Sequence, residues 1–375
     1  MKFLIVAPRF HTNLYYRVLT LQNSGHRVKV LVLYKGKSEF YKNIDIRTLH
    51  LSFFSKILLS IIKIFKKNYL KTNFEFRIEM PDKEINQIFK EYKPDVILLK
   101  AYQNLLAIKT LIVAKKHKSK VLMLTQTPYN HIKGSKFLFK LNVKLFRFLK
   151  VYAYITPIKI NYEVFKKSGI KNVYYLPFVY PALNLQDISF EKKIIKILSI
   201  GKFVKRKDQL LLLKVVKRLL NENHLIKLTL IGEIPDKNYF EQIKHFITKN
   251  NLQNTVTIKT NIPYDKMPQE YQQHDLFVLP SYKEPAAYSL VEAMANALPI
   301  ICSDQNGTQC YIEKGKNGYV FKAKDANDLY EKIKNCISDT ETLKKMQQNA
   351  VKIHKNKYQP KYFLQNIIWI IKKEI

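Results

Sequence analysis

The chain of 375 residues has 65 Lys and Arg against 29 Asp and Glu, a formal net charge of +36, and 47% hydrophobic residues, enough for two domains with separate cores. Three cysteines, Cys302, Cys310 and Cys336, have neither zinc-site spacing nor the even count of a disulfide framework. Both scaffolds are excluded, and a reducing cytosol is expected.

The first residues, Met1 to Pro8, are one lysine and a short apolar run closed by proline. They read as a buried strand rather than a signal peptide. Strand-like runs at 3–7, 28–33, 96–99, 121–124 and 152–155 alternate with segments of helical spacing, which predicts a parallel α/β sheet. The apolar run 53–65 is interrupted by Lys56 and Lys63 and falls short of the ~20 apolar residues that span a bilayer. No crossing of the membrane is expected.

A polar passage at 181–193 lacks periodicity and reads as a linker between a first domain, 1–180, and a second, 194–360. In the second domain, strands at 194–199, 227–231, 256–259 and 276–279 alternate with helices at 208–221, 238–249 and 266–272. The pattern predicts two Rossmann-like domains in tandem. An amphipathic helix with Trp369 closes the chain at 361–375 and is expected to pack back on the first domain.

Three motifs carry chemistry. Ile200-Gly201-Lys202-Phe203-Val204-Lys205-Arg206-Lys207-Asp208 joins a strand to a helix. A glycine turn, a helix start and clustered cations suit a diphosphate, although a solvated basic loop has the same composition. Next comes Pro280-Ser281-Tyr282-Lys283-Glu284-Pro285-Ala286-Ala287-Tyr288-Ser289-Leu290-Val291-Glu292-Ala293-Met294-Ala295. Here a helix is expected to begin near Pro285 and carry Glu292 about two turns in. A carboxylate on an apolar helix needs a polar partner, and the vicinal hydroxyls of a ribose would supply one. Glu284 sits in the loop after an apolar strand, where an exposed loop residue is the plain alternative to a site carboxylate. The third stretch runs from Asn296 to Phe321, a helix end, a buried strand and glycine turns of generic α/β type.

In this order and spacing the pieces resemble glycosyltransferase family 4, retaining enzymes of the GT-B fold. The likeness includes the strand ending Leu230-Ile231-Gly232 and the Glu-Ala-Met-Ala run. It implies two Rossmann-like domains facing each other across a cleft, the second holding a nucleotide sugar as co-substrate. By resemblance, Lys202 (usually arginine) and Lys207 neutralise the donor diphosphate beside Gly201 and Gly232. Glu292 binds the ribose hydroxyls, and Glu284 faces the transferred sugar with backbone N–H groups from Ala286, Ala287, Tyr288, Ser289 and Leu290. Asn261 and Ile262 lie beside the base. Ala287 stands where the family usually has glycine, and Pro8-Arg9-Phe10-His11-Thr12-Asn13 lacks the usual glycine pair. His131 is the nearest match to a first-domain histidine found in many members.

No Asp-x-Asp sequence is present to hold a metal against a diphosphate. The expected chemistry is metal-independent hexosyl transfer without a cofactor, fixed cations stabilising the leaving group.

The first domain contains 13 Lys or Arg and no acid between residues 96 and 162. Lys133, Lys136, Lys140, Lys144, Arg147 and Lys150 recur at spacings of three and four, which places them on one helical face. A second acid-free stretch, 46–74, sets Lys56, Lys63, Lys66, Lys67 and Lys71 among apolar residues. Such helices suit the interface of an anionic bilayer, although a solvated basic face on a core-packed helix has the same pattern. The expected protein is therefore cytoplasmic and peripheral on the inner face of the cell membrane. It would transfer sugar to a lipid-linked, lipopolysaccharide or other cell-surface glycan acceptor. A nucleic-acid-binding module would share the charge without accounting for Glu284 and Glu292, and no nucleic-acid partner is expected. An epimerase on the same fold is the nearer alternative.

Overall fold

The computed structural model describes residues 1–36, 39–64, 78–100, 104–126, 145–146, 148–183 and 194–373. These form two compact units, one containing the described residues up to Pro177 together with those from Pro360 onward, the other running from Phe178 to Gln359.

The first unit is built on a seven-stranded parallel sheet. Its strands are β1 (Lys2–Arg9), β2 (Arg27–Tyr34), β3 (Ile46–Thr48), β4 (Val96–Leu99), β5 (Lys120–Leu124), β6 (Ala153–Thr156) and β7 (Val173–Tyr175), in the spatial order β3-β2-β1-β4-β5-β6-β7. Residues Phe3 to Ala7 of β1 are fully buried, on both faces. That is why β1 is a continuous apolar run rather than an alternating one. Helix Leu105–Lys116 starts where Asn104 accepts the Ala107 N–H at 2.9 Å, so an asparagine cap sets the turn after β4.

The second unit repeats the plan with six parallel strands: β8 (Ile195–Ile200), β9 (Ile226–Ile231), β10 (Val256–Lys259), β11 (Leu276–Leu279), β12 (Ile300–Ser303) and β13 (Gly318–Phe321). Their order is β10-β9-β8-β11-β12-β13. In both sheets the chain builds outward on one side of the first strand and then returns to its other side. The places where this reversal occurs, β1/β4 and β8/β11, leave crevices at the strands' carboxyl ends, the usual ligand positions in open α/β sheets.

Three strands differ from expectation. β3 and β7 have three residues each and sit at or next to sheet edges, too short for a readable period, and the segment of β13 reads only as a glycine turn. The last helix, Pro360–Lys372, packs against helix Tyr15–Asn23 within the first unit. The Arg17 guanidinium lies 5.4 Å from the Phe363 ring centre. Lys120 Nζ and the Tyr152 hydroxyl donate to the Ile371 carbonyl at 2.8 and 3.1 Å. Among the described residues, no helix is long and apolar enough to cross a membrane.

Gly318 pairs with Ile300 in the β12–β13 register and has φ +141°. A Cβ there would lie 1.8 Å from the Ile300 carbonyl oxygen, so neither backbone angle nor space admits a side chain. Gly318→Ala is expected to lower stability by about 2–4 kcal/mol, measured by denaturant unfolding, as backbone strain and overpacking combine.

Candidate functional site

The site is assembled where β8 and β11 diverge. Gly201 and Gly232 follow β8 and β9. A Cβ on Gly232 would sit 2.1 Å from the Gly201 carbonyl oxygen, so the two loops meet backbone to backbone. Gly201 lies in a bend directly after β8. Its backbone is not left-handed; the side chain of Lys207 lies over it, 3.1 Å from where a Cβ would be. The left-handed residue of this loop is Asp208, φ +51°, which passes the chain from the short turn Lys205–Lys207 into helix Gln209–Asn221.

Glu284 lies in the loop after β11, and its backbone is tied in on both sides. Its N–H donates to the Gln305 carbonyl and its own carbonyl accepts from Gly307, both at 3.0 Å. The carboxylate is buried, 6% exposed, so the alternative of an exposed loop residue is excluded. Lys207 Nζ donates to Glu284 Oε2 at 2.7 Å, and the Arg206 guanidinium donates to the same oxygen. Burial pushes the Glu284 carboxyl up, but Lys207 and Arg206 outweigh it and hold the group below its ordinary value. Glu284 is therefore an ionised carboxylate flanked by two cations. Lys202, half exposed, pairs with Glu233 at 2.7 Å.

Glu292 is equally buried but differently partnered. Helix Ser289–Ala295 starts later than expected, which puts Glu292 in its first turn rather than two turns in; Pro285 precedes the helix. The short turn between Pro285 and Ser289 takes the place of the expected helical turn. Its carboxylate accepts from the hydroxyls of Tyr264 at 2.6 Å and Tyr271 at 2.9 Å. These tyrosines supply the polar partner that the sequence reading assigned to a ribose. Asn261, with φ +55°, and Ile262 lie in the loop that delivers Tyr264.

The segment 286–290, which runs into helix Ser289–Ala295, is already engaged. The Ala287 N–H donates to Thr308 Oγ1 at 3.1 Å, and the Tyr288 hydroxyl donates to the Val179 carbonyl at 2.8 Å. The Leu290 side chain is fully buried. Ala286 and Ser289 remain partly exposed. Arg206, Tyr264, Tyr271, Thr308 and Glu233 belong to this arrangement, yet the sequence reading gave them no role. Arg206 stood beside Lys207 in a loop already singled out; the tyrosines were detectable only by asking which donors could satisfy Glu292. Of the other expected residues, His131, Lys133, Lys136, Lys140, Lys144 and Arg147 lie outside the described residues. Lys150 is exposed in the turn before β6.

The two glutamates have opposite electrostatics. Burial pushes Glu292 up from 4.5 to about 6, while the two tyrosine hydrogen bonds act in the other direction. Folding thus favours its neutral form. Its contribution to stability is full below about pH 4.5 and is lost as pH rises through about 6, an effect of about 2 kcal/mol. Denaturant unfolding at pH 4.5 and 7 should show that difference between the wild type and Glu292→Gln; parallel pH profiles would contradict it.

Residues 184–353 match the family model described as Glycosyl transferases group 1. Protein CapJ of Staphylococcus aureus is 30% identical over 205 residues, covering 48% of this chain and 50% of CapJ. The UDP-Gal:alpha-D-GlcNAc-diphosphoundecaprenol alpha-1,3-galactosyltransferase of Escherichia coli is 23% identical over 206 residues, 52% of this chain and 50% of that one. The chain spans about half the length of these curated relatives. Among solved structures, Anabaena HepE in complex with UDP aligns with a TM-score of 0.74 at 16% identity, covering 98% of this chain and 99% of HepE. At that identity the likeness establishes fold. The chain has two parallel-sheet Rossmann-like units of the GT-B kind, and its second unit carries the Glycosyl transferases group 1 pattern.

Proposed function

We propose that the protein is a retaining glycosyltransferase that moves a sugar from a nucleotide-sugar donor to a lipid-linked, lipopolysaccharide or other cell-surface glycan. The observation that carries this reading is the buried Glu284 carboxylate between Arg206 and Lys207 at the β8/β11 crevice. An ionised carboxylate bound to two cations that stand beside an open loop can share those cations with an incoming diphosphate. Support comes from the group 1 match, the UDP in HepE, and the UDP-Gal donor and diphosphoundecaprenol acceptor in the name of the Escherichia coli relative.

In this reading the donor diphosphate draws Lys202 away from Glu233 and lies against Lys202, Arg206 and Lys207. The ribose takes a place beside Glu292, exchanging a tyrosine hydroxyl for its own. Glu284 faces the sugar. The acceptor hydroxyl attacks from the face the nucleotide leaves, the glycosidic bond forms as the sugar–phosphate bond breaks, and the proton passes to the leaving phosphate oxygen. Fixed cations carry the departing charge, so the reaction needs no metal. The reading also places the enzyme on the inner face of the membrane. Helix Phe53–Ile64 supports this with exposed Phe53, Phe54, Ile57 and Ile61 in a stretch devoid of acids. An apolar face with lysine neighbours fits an anionic bilayer interface.

Thermal-shift measurement with UDP, GDP and ADP sugars should single out a stabilising donor. Lys207→Met should weaken that donor at least tenfold, about 1.4 kcal/mol. Glu284→Gln should lower kcat about 100-fold or more while the protein still binds nucleotide. Sugar release without transfer to acceptor, or full activity in Glu284→Gln, would refute the assignment. Replacing Phe53, Phe54, Ile57 and Ile61 with Ser should abolish sedimentation with anionic vesicles; unchanged sedimentation would remove the membrane half of the reading.

A further inference from the structure

The first unit has a charge cluster at its own reversal point, between β1 and β4, that the donor site does not use. Lys100 follows β4 directly, and its N–H donates to the Val6 carbonyl at 2.8 Å, which fixes it alongside β1. Its ammonium donates to Asn13 Oδ1 at 2.6 Å. Asn13 belongs to the short turn Thr12–Leu14 that connects β1 to helix Tyr15–Asn23. The Lys100 side chain is mostly covered yet still reachable from solvent.

Three further charges face it. Arg9 is the last residue of β1, Arg17 projects from helix Tyr15–Asn23 and is 2% exposed, and Glu39 follows β2. Glu39 is paired with Arg9 at 2.8 Å, and the Arg17 guanidinium donates to the Pro177 carbonyl at 3.2 Å. Three cations thus converge; of the described carboxylates nearby, Glu39 is committed to Arg9, and Glu79 shares the surroundings of Tyr34 with both. The partner of Lys100 is a neutral amide oxygen, which takes one of the three ammonium protons. Burial, then Arg17 and Arg9, push Lys100 well below its ordinary value, with Glu39 opposing them. A covered ammonium whose hydrogen bond goes to a neutral amide is costly to keep charged. An anion reaching the part of the ammonium that stays exposed would lower that cost and accept from its remaining protons.

We propose that the crevice at the carboxyl ends of β1 and β4 binds a phosphate or diphosphate group through Lys100, within the field of Arg9 and Arg17. The site stands on the first unit's own geometry. That its occupant is the phosphate of the lipid-linked acceptor, rather than the donor diphosphate, rests on the glycosyltransferase reading.

Inorganic pyrophosphate, titrated with UDP present in excess, probes the site itself. The wild type should be thermally stabilised. Lys100→Met should bind at least tenfold more weakly and lose the stabilisation, while Lys100→Arg should largely keep it. The Met variant removes a covered charge, so without ligand it should unfold at no lower a temperature than the wild type. Equal binding by wild type and Lys100→Met, or none by the wild type, would overturn the site. Kinetics separate the sources. An acceptor KM raised at least tenfold in Lys100→Met with unchanged UDP affinity supports the acceptor phosphate; lost UDP affinity instead overturns that assignment. A wild type that transfers no sugar to any diphospholipid removes the glycosyltransferase reading and the occupant with it, but leaves the pyrophosphate result standing.

Discussion

The candidate site depends on one buried carboxylate and the two cations that keep it ionised. Glu284 is 6% exposed and accepts from Lys207 and Arg206 at a single oxygen. Removing one partner of such a buried pair leaves an uncompensated charge, which typically costs about 3–5 kcal/mol. The interaction therefore joins the loop after β8 to the loop after β11, two segments some 77 residues apart in the chain. At Gly201 the Lys207 side chain crosses close over the backbone, 3.1 Å from where a Cβ would be.

Glu292 is the counterpart. Among the described residues its hydrogen-bond partners are two phenolic donors and no cation, and its carboxyl is pushed up to about 6. Burial and the nearby Glu292 carboxylate in turn keep Tyr264 and Tyr271 protonated, so both remain donors. Two acids eight positions apart thus differ in charge preference because one faces guanidinium and ammonium and the other faces hydroxyls. That division suits a proposed site that must hold a diphosphate at one end and a neutral sugar alcohol at the other.

The two units use the same topology for different charge arrangements. In the second, each described cation of the basic loop after β8 that reaches the site has a carboxylate partner: Lys202 has Glu233, and Arg206 and Lys207 share Glu284. In the first, Arg9 takes Glu39 and Lys100 is left with an amide. Sheet order places both groups at carboxyl strand ends; side-chain chemistry alone separates them.

Much of the fold was legible because buried parallel strands require continuous apolar runs, and β4 and β11 fell where those runs lay. The glutamates and the basic loop were legible too, since a charge within an apolar or glycine-bounded pattern stands out locally. β3 and β7 were not, since three residues carry no period. The partners of the site residues were also hidden. Tyr264 and Tyr271 lie 28 and 21 positions from Glu292, and Arg206 lies 78 from Glu284. The sequence by itself determined which residues would be costly to bury alone; only the tertiary structure decided which groups meet them, because strand order and not chain distance brings those groups together.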